Sequence, residues 1–208
     1  VRIICTTQGT PEWHAARAGH ITASAAWIVL SQDAVKSRAG YRLQLCLDLE
    51  GVEDWSSQEP EPWFIHGRQW EAWARGWYAY RTDQDIEQTG FVEHDDHHWL
   101  GCSPDGLTPD IALEIKCHKS LRQFQIAKSA INRRYADQAQ VVMLVTGRPA
   151  CALIHYWRNE DTGELLERGH VHTIPADPAR QAYFMERAAA FYIDVLRLYR
   201  ERNPHREP

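Results

Sequence analysis

The stretch Leu100–Lys119, LGCSPDGLTPDIALEIKCHK, decides how this chain is read. Asp105 stands in a Ser-Pro-Asp-Gly turn, and Ala112–Cys117 then mixes apolar and charged positions. Successive side chains of a strand point to opposite faces, so Glu114 and Lys116 share one face and Ile115 takes the other. Ile115 can then anchor the strand in a core while its backbone carbonyl lies near the same site. Asp105, fixed between Pro104 and Gly106, can reach across from the neighbouring strand. Two readings follow. An acid in a turn and a Glu-x-Lys on a strand are common on the solvated face of a hairpin. Alternatively, two carboxylates and a carbonyl form a set of hard oxygen ligands that suits magnesium or manganese more than zinc. Lys116 cannot coordinate while protonated. It can orient a metal-bound water, help it lose a proton, or stabilise charge on a phosphate. Such a trio meets the needs of metal-assisted phosphodiester hydrolysis. On these residues alone the solvated hairpin is the simpler reading.

The rest of the chain sets the context. Its 208 residues suit one domain spanning 1–208, and 44% hydrophobic with 25% charged residues is a globular balance. A net charge of -5 gives no global attraction for nucleic acid, so DNA binding would need a local basic surface. Cys5, Cys46, Cys102, Cys117 and Cys151 are scattered and odd in number, which points to reduced thiols rather than a disulfide framework or a thiolate zinc site. No segment is apolar enough for a membrane span, and the first residues lack a signal-peptide layout. A cytoplasmic location, with no membrane partner, is expected.

Helices are expected from Ile21–Leu30, with Thr22 or Ser24 as the cap, and over Tyr41–Leu49 and Gly67–Thr82. The loop Glu50–Pro62 separates the last two. Trp63, Trp70, Trp73 and Trp77 crowd the Gly67–Thr82 region and its approach, and core packing is preferred over a base-stacking platform. Strands are expected at Phe91–Glu93, Trp99–Cys102 and Ala112–Cys117, and again at Cys151–Trp157 and Val171–Ile174. Between them, Leu121–Lys128 and Tyr135–Val145 have helical rhythm. Asp177-Pro178 opens a final helix with Phe184, Ala188, Phe191, Val195 and Leu198 on its apolar side. The class is α/β or α+β, with a central mixed β-sheet flanked by helices.

Two further features compete for attention. The run Glu93–His98, EHDDHH, has zinc-ligand residue types, but adjacent residues diverge, and a hydrophilic turn before Trp99 accounts for it. Lys36, Arg38 and Arg42 form one basic cluster, and Arg122, Lys128, Arg133 and Arg134 another. Both are ordinary solvated faces unless the chain binds a DNA backbone.

Four ordered segments change the balance: PEWHAARAGHITAS, GRQWE, CSPDGL with LEIKC, and YADQAQVVMLVTG, from Pro11 to Gly147. In this set the chain resembles the phage lambda-type exonucleases, or YqaJ-type viral recombinases, of the PD-(D/E)xK nuclease superfamily. The resemblance implies a restriction-endonuclease-like core. It makes Asp105 and Glu114 metal-binding carboxylates and Lys116 the catalytic lysine, and the Ile115 carbonyl, placed beside them by the strand reading, is the expected third metal ligand. Glu71 of GRQWE matches an acid brought to the site from a helix. Arg17 and Ser24 match positions that grip a 5′-terminal phosphate, and Ser103 and Gln138 match others near it that contact the phosphate or the DNA. The implied activity is a magnesium-dependent exonuclease on linear double-stranded DNA, running 5′ to 3′ from phosphorylated ends. Two magnesium ions are expected, with manganese able to substitute. The implied partners are DNA ends, two further copies in a homotrimeric ring, and a phage-type single-strand annealing protein. An endonuclease on the same fold, or an end-binding module without catalysis, are the alternatives. His118 departs from a proline found in many relatives, and the Asp105–Glu114 spacer is slightly shorter than in the phage lambda member, implying a tighter turn.

Overall fold

The computed structural model describes residues 2–31, 33–52, 62–159 and 167–206. The side chains of 62–68 and 167 lie outside this description, as does most of the expected Glu50–Pro62 loop. In chain order the elements are β1 (Arg2–Ile4), α1 (Pro11–Arg17), β2 (Ile21–Thr22), a 3-10 turn (Ala23–Ala25), α2 (Ala26–Leu30), α3 (Val35–Leu49) and α4 (Pro62–Thr82). They continue with β3 (Phe91–Glu93), β4 (Leu100–Cys102), β5 (Gly106–Leu107), β6 (Ile111–Cys117), α5 (Leu121–Ser129), α6 (Arg133–Thr146), β7 (Ala150–Arg158), β8 (Glu167–Pro175) and α7 (Pro178–Arg202).

The mixed α/β expectation holds, with the strands divided between two four-stranded sheets, β1-β3-β4-β2 and β5-β6-β7-β8. β6 and β7 run parallel, Ile115 opposite Ile154 and Lys116 opposite His155. Parallel neighbours need a long crossover, and α5 and α6 supply it. Alternation then sorts the side chains of the second sheet. Leu113, Ile115, Ala152, Ile154 and Tyr156 pack with Trp70, Ala74 and Tyr78 of α4. Cys151 and Leu153 pack with Ala139 and Met143 of α6. A third cluster joins the first sheet to α2, α3, α6 and α7 through residues such as Ile21, Leu100, Val142 and Phe184.

Helix α7 starts as its sequence demands. The Asp177 carboxylate accepts from the Arg180 N–H at 3.0 Å with Pro178 in the first position, and Phe184, Ala188, Phe191 and Val195 are buried. Arg180 also donates two hydrogen bonds, at 2.9 and 2.6 Å, to the buried Asp137 of α6. That pair ties α7 to the residue beside Gln138.

Several elements differ from expectation. Neither Thr22 nor Ser24 caps a helix: no side-chain cap bond forms at the 3-10 turn or at α2. The reason is tertiary, because Ile21 and Thr22 pair in parallel with Leu100 and Gly101. Helix α3 begins at Val35, earlier than the apolar pattern indicates. Helix α1 was not anticipated, although its signal is present: the Thr10 hydroxyl accepts from the Trp13 N–H at 3.3 Å, with Pro11 following. The tryptophans also divide. Trp70 is buried, whereas Trp73 is 54% exposed, and the Arg158 guanidinium lies over both rings. Trp63 lies outside the described side chains.

Candidate active site

The Ser103–Gly106 turn meets β6 edge-on. The Asp105 N–H donates to the Leu113 carbonyl at 3.0 Å, and the Ile115 N–H donates to Asp105 Oδ2 at 2.6 Å. In a strand the N–H and C=O of one residue face the same edge. The Ile115 carbonyl therefore faces the Asp105 side too, beyond the end of β5. Glu114 and Lys116 occupy one face of β6, joined at 2.6 Å between Lys116 Nζ and Glu114 Oε1. Lys116 Nζ also donates to Gln138 Oε1 of α6 at 3.4 Å and lies 4.8 Å from the centre of the Tyr135 ring. The connection between Asp105 and Glu114 closes as a turn, with Thr108 N–H to the Ile111 carbonyl at 2.8 Å and Ile111 N–H to the Thr108 hydroxyl at 2.9 Å.

Glu71 arrives from α4 on the other face of the sheet. Its carboxylate pairs with Arg75 one helical turn later, and both side chains border a cleft of about 440 Å³ with Asp105, Gln8 and Gln88. Arg75 was missed in the sequence, where an i,i+4 acid–base pair reads as a helix-surface bridge. Its Nε donates to the Asp105 carbonyl at 2.6 Å.

The electrostatics of these carboxylates are unfavourable without a cation. Burial, then the charges of Glu114 and Glu71, push the Asp105 carboxyl well above its usual range. Glu114 is only 2% exposed, and its Oε2 has no hydrogen-bond partner among the described residues. Burial acts against the Lys116 charge, but Glu114 and Asp105 outweigh it and hold the ammonium above its ordinary value. Among the described residues, no three His, Cys, Asp or Glu side chains form a ready cage for a metal. The contacts explain this: Ile115 holds Asp105 Oδ2, Lys116 holds Glu114 Oε1, and Arg75 holds Glu71. The donor set that remains, an orphaned buried carboxylate oxygen beside a second carboxylate and a strand carbonyl, fits a hard divalent cation.

A second cluster lies two residues back along the turn. Ser103 Oγ accepts from Trp13 Nε1 at 2.9 Å and from Arg17 Nη1 at 3.4 Å, and the Arg17 guanidinium stacks 4.1 Å from the Trp13 ring centre. Burial pulls the Arg17 guanidinium below its usual value. Among the described residues no carboxylate pairs with it. Trp13, which sequence reasoning did not assign, is marked by its place one helical turn before Arg17. Ser24 and Ser103 each lie two residues beyond the Thr22–Gly101 pair, so both leave the first sheet at the same end. Ser24 is exposed, and its hydroxyl is 3.2 Å from that of Thr22. The structure thus links Arg17 and Ser103 directly, joins Gln138 to Lys116, and leaves Ser24 at the rim.

Other charged groups resolve differently. Glu93 is buried at the end of β3 and paired with His20 and His98, so the EHDDHH run includes a structural acid as well as a turn. Arg38 donates to the Ile28 and Val29 carbonyls and lies over Phe191, which makes it a brace for the end of α2 rather than a free DNA contact. All five cysteines are free thiols.

At the strand exit, the His118 N–H donates to the Tyr156 carbonyl at 2.8 Å, extending the pairing past Cys117. Its Nε2 lies 2.9 Å from Nδ1 of His155, which is 1% exposed. Burial and the neighbouring His118, His172 and His170 push the His155 imidazole down to about 3 from 6.5. Between those values the unfolded chain binds the extra proton and the folded chain does not. Stability from neutral His155 is therefore complete above pH 6.5 and falls as the pH drops toward 3. His155→Leu is expected to flatten the dependence of the unfolding midpoint on pH below 6.5. An unchanged slope in thermal unfolding scans would refute this.

A turn aspartate, a strand Glu-x-Lys and a helix glutamate around one sheet edge are the arrangement expected of a PD-(D/E)xK core. The YqaJ-like viral recombinase domain matches residues 12–149, and the chain belongs to that family. An alkaline exonuclease (LHK-Exo) from Laribacter hongkongensis is 28% identical, with a TM-score of 0.80 over 94% of this chain and 97% of that one. LHK-Exo in complex with dAMP matches at 26% identity and a TM-score of 0.81, with the same coverage. A phage related exonuclease from Haemophilus somnus 129PT, 14% identical with a TM-score of 0.66 over 88% of this chain and 96% of that one, shares the fold. No curated protein matches the chain at a significant level.

Proposed function

We propose that this chain is a divalent-metal-dependent exonuclease that degrades linear double-stranded DNA 5′ to 3′ from phosphorylated ends. It leaves a 3′ single strand for recombination by annealing. One observation carries the choice: Arg17, a partly buried cation that has no carboxylate partner among the described residues, meets Ser103 only two residues before Asp105. A planar guanidinium in that position suits a terminal phosphate held beside the scissile one. LHK-Exo, an alkaline exonuclease whose structure is known with dAMP, supports DNA as the substrate class.

In this reading Asp105, Glu114 and the Ile115 carbonyl hold the cation, and Glu71 completes the set for a second one. Magnesium is the expected ion and manganese a substitute. When bound, the metal supplies positive charge to the phosphate oxygens and the attacking water. Lys116, kept as an ammonium by Glu114 and Asp105, donates a hydrogen bond to the charge that develops on the phosphate. Gln138 fixes the Lys116 position, while Arg17, Ser103 and Ser24 hold the 5′-phosphate. The proposal extends to one nuclease domain over 1–208, a ring-shaped homotrimer, an annealing-protein partner and a cytoplasmic location; these extensions rest on the family resemblance and on the sequence.

An endonuclease on the same fold is the competing reading. The two separate on topology of the substrate. Linear duplex is expected to be digested with magnesium while closed circular duplex of the same sequence persists. Nicking or linearisation of the circle would favour the endonuclease.

A further inference from the structure

The metal-binding turn is gripped from behind by two side chains that its own sequence does not contain. Pro104 has no N–H, so its residue joins the hydrogen-bond network of the turn through its carbonyl alone. That carbonyl accepts from Gln8 Nε2 at 3.0 Å, and the same amide nitrogen reaches the Thr89 carbonyl at 3.2 Å. The next carbonyl, that of Asp105, accepts from Arg75 Nε at 2.6 Å. Arg75 Nη2 binds Glu71 Oε1, and the Gln88 amide lies against the same guanidinium. The Arg75 side chain is only 13% exposed.

We propose that Arg75, assisted by Gln8, is a positioning residue of this site: the pair clamps the Pro104 and Asp105 carbonyls and so aims the Asp105 carboxylate, while Arg75 holds Glu71 beside it. The inference rests on the reading of the site as a divalent-metal centre. Its logic is geometric. On the β6 side, the Asp105 N–H and Oδ2 are fixed to Leu113 and Ile115. On the opposite side, the two carbonyls are fixed to Gln8 and Arg75. A short turn held on both sides cannot swing its carboxylate away from Glu114. Arginine is suited to the task because its rigid fork serves two acceptors at once, the turn carbonyl and the Glu71 carboxylate. A lysine would supply charge without that fork. The guanidinium also offsets the charge of Glu71, which otherwise adds to the repulsion on Asp105.

The deciding experiment is calorimetric titration of Mn²⁺ into the DNA-free protein, for wild type, Arg75→Gln, Arg75→Lys and Gln8→Ala. Partners that orient metal ligands typically matter about 10- to 100-fold in affinity. Arg75→Gln is expected to weaken Mn²⁺ binding by about that factor, with Arg75→Lys failing to restore it and Gln8→Ala losing less. Gln8→Ala should keep a metal-free unfolding midpoint close to wild type, and all three variants should bind 5′-phosphorylated duplex in chelator nearly as wild type does. Wild-type Mn²⁺ affinity in both Arg75→Gln and Gln8→Ala would overturn the clamp and leave the metal reading standing. Full affinity in Arg75→Lys would overturn the positioning role, since charge alone would then suffice. No Mn²⁺ binding by wild type would overturn both the clamp and the metal reading. Should Arg75→Gln fail to fold, Gln8→Ala decides alone, because it deletes a clamp contact without touching a charge.

Discussion

Lys116→Ala is expected to lower cleavage of linear duplex by about 10²- to 10⁴-fold while leaving DNA-end binding in place. The ammonium is 2.6 Å from Glu114 and is held charged by both site carboxylates, so its contribution falls on the charge of the reacting phosphate. Arg17 and Ser103, which hold the end in this account, touch neither Lys116 nor Glu114. Single-turnover digestion gives the rate, and fluorescence anisotropy of a 5′-labelled duplex in chelator gives the binding. Removing Lys116 also strands the buried Glu114 without its partner, which is destabilising. Lys116→Gln is therefore the companion variant, since its amide can still donate to Glu114. Full activity in either variant would remove the catalytic assignment.

Asp105→Asn should separate stability from function in opposite directions. The Asp105 charge is buried among Glu114 and Glu71, and its ionisation weakens the metal-free fold as the pH rises above the ordinary carboxylate range. The asparagine keeps an acceptor for the Ile115 N–H and removes the repulsion. The metal-free variant is expected to unfold at a higher temperature than wild type at neutral pH. Added magnesium or manganese should raise the wild-type midpoint, because a ligand that binds only the folded state stabilises it. It should leave the variant unmoved, and cleavage should fall by at least about 10²-fold. A variant less stable than wild type without metal, yet still stabilised by it, would contradict the ligand role of Asp105.

The legible parts of this molecule were those governed by local rules. Alternation along Ala112–Cys117 placed Glu114 and Lys116 on one face and Ile115 in the core, as the packing of Ile115 under α4 bears out. The Asp177-Pro178 start of α7 and its buried stripe followed from capping and helical spacing. Tertiary contacts overrode the local signal elsewhere. Ile21–Thr22 looked like a helix start because Thr and Ser favour caps, but pairing with β4 drew it into a strand. Arg38 looked like a solvated cation, whereas the end of α2 recruits it for two carbonyls. Arg75 was invisible for a related reason: its acceptor is the backbone of a turn thirty positions away, and a backbone carbonyl leaves no mark in sequence. The resemblance named Arg17, Ser103 and Gln138, but their contacts with Trp13 and Lys116 required the fold.

The central claim is a metal site coupled to a pocket for a terminal phosphate. Its most direct test is digestion of one linear duplex bearing either a 5′-phosphate or a 5′-hydroxyl, with and without magnesium. The account predicts rapid loss of the phosphorylated duplex with magnesium, much slower loss of the hydroxyl duplex, and none of either in chelator. Equal rates on both ends would contradict the pocket at Arg17 and Ser103, and undiminished digestion in chelator would contradict the metal centre at Asp105 and Glu114.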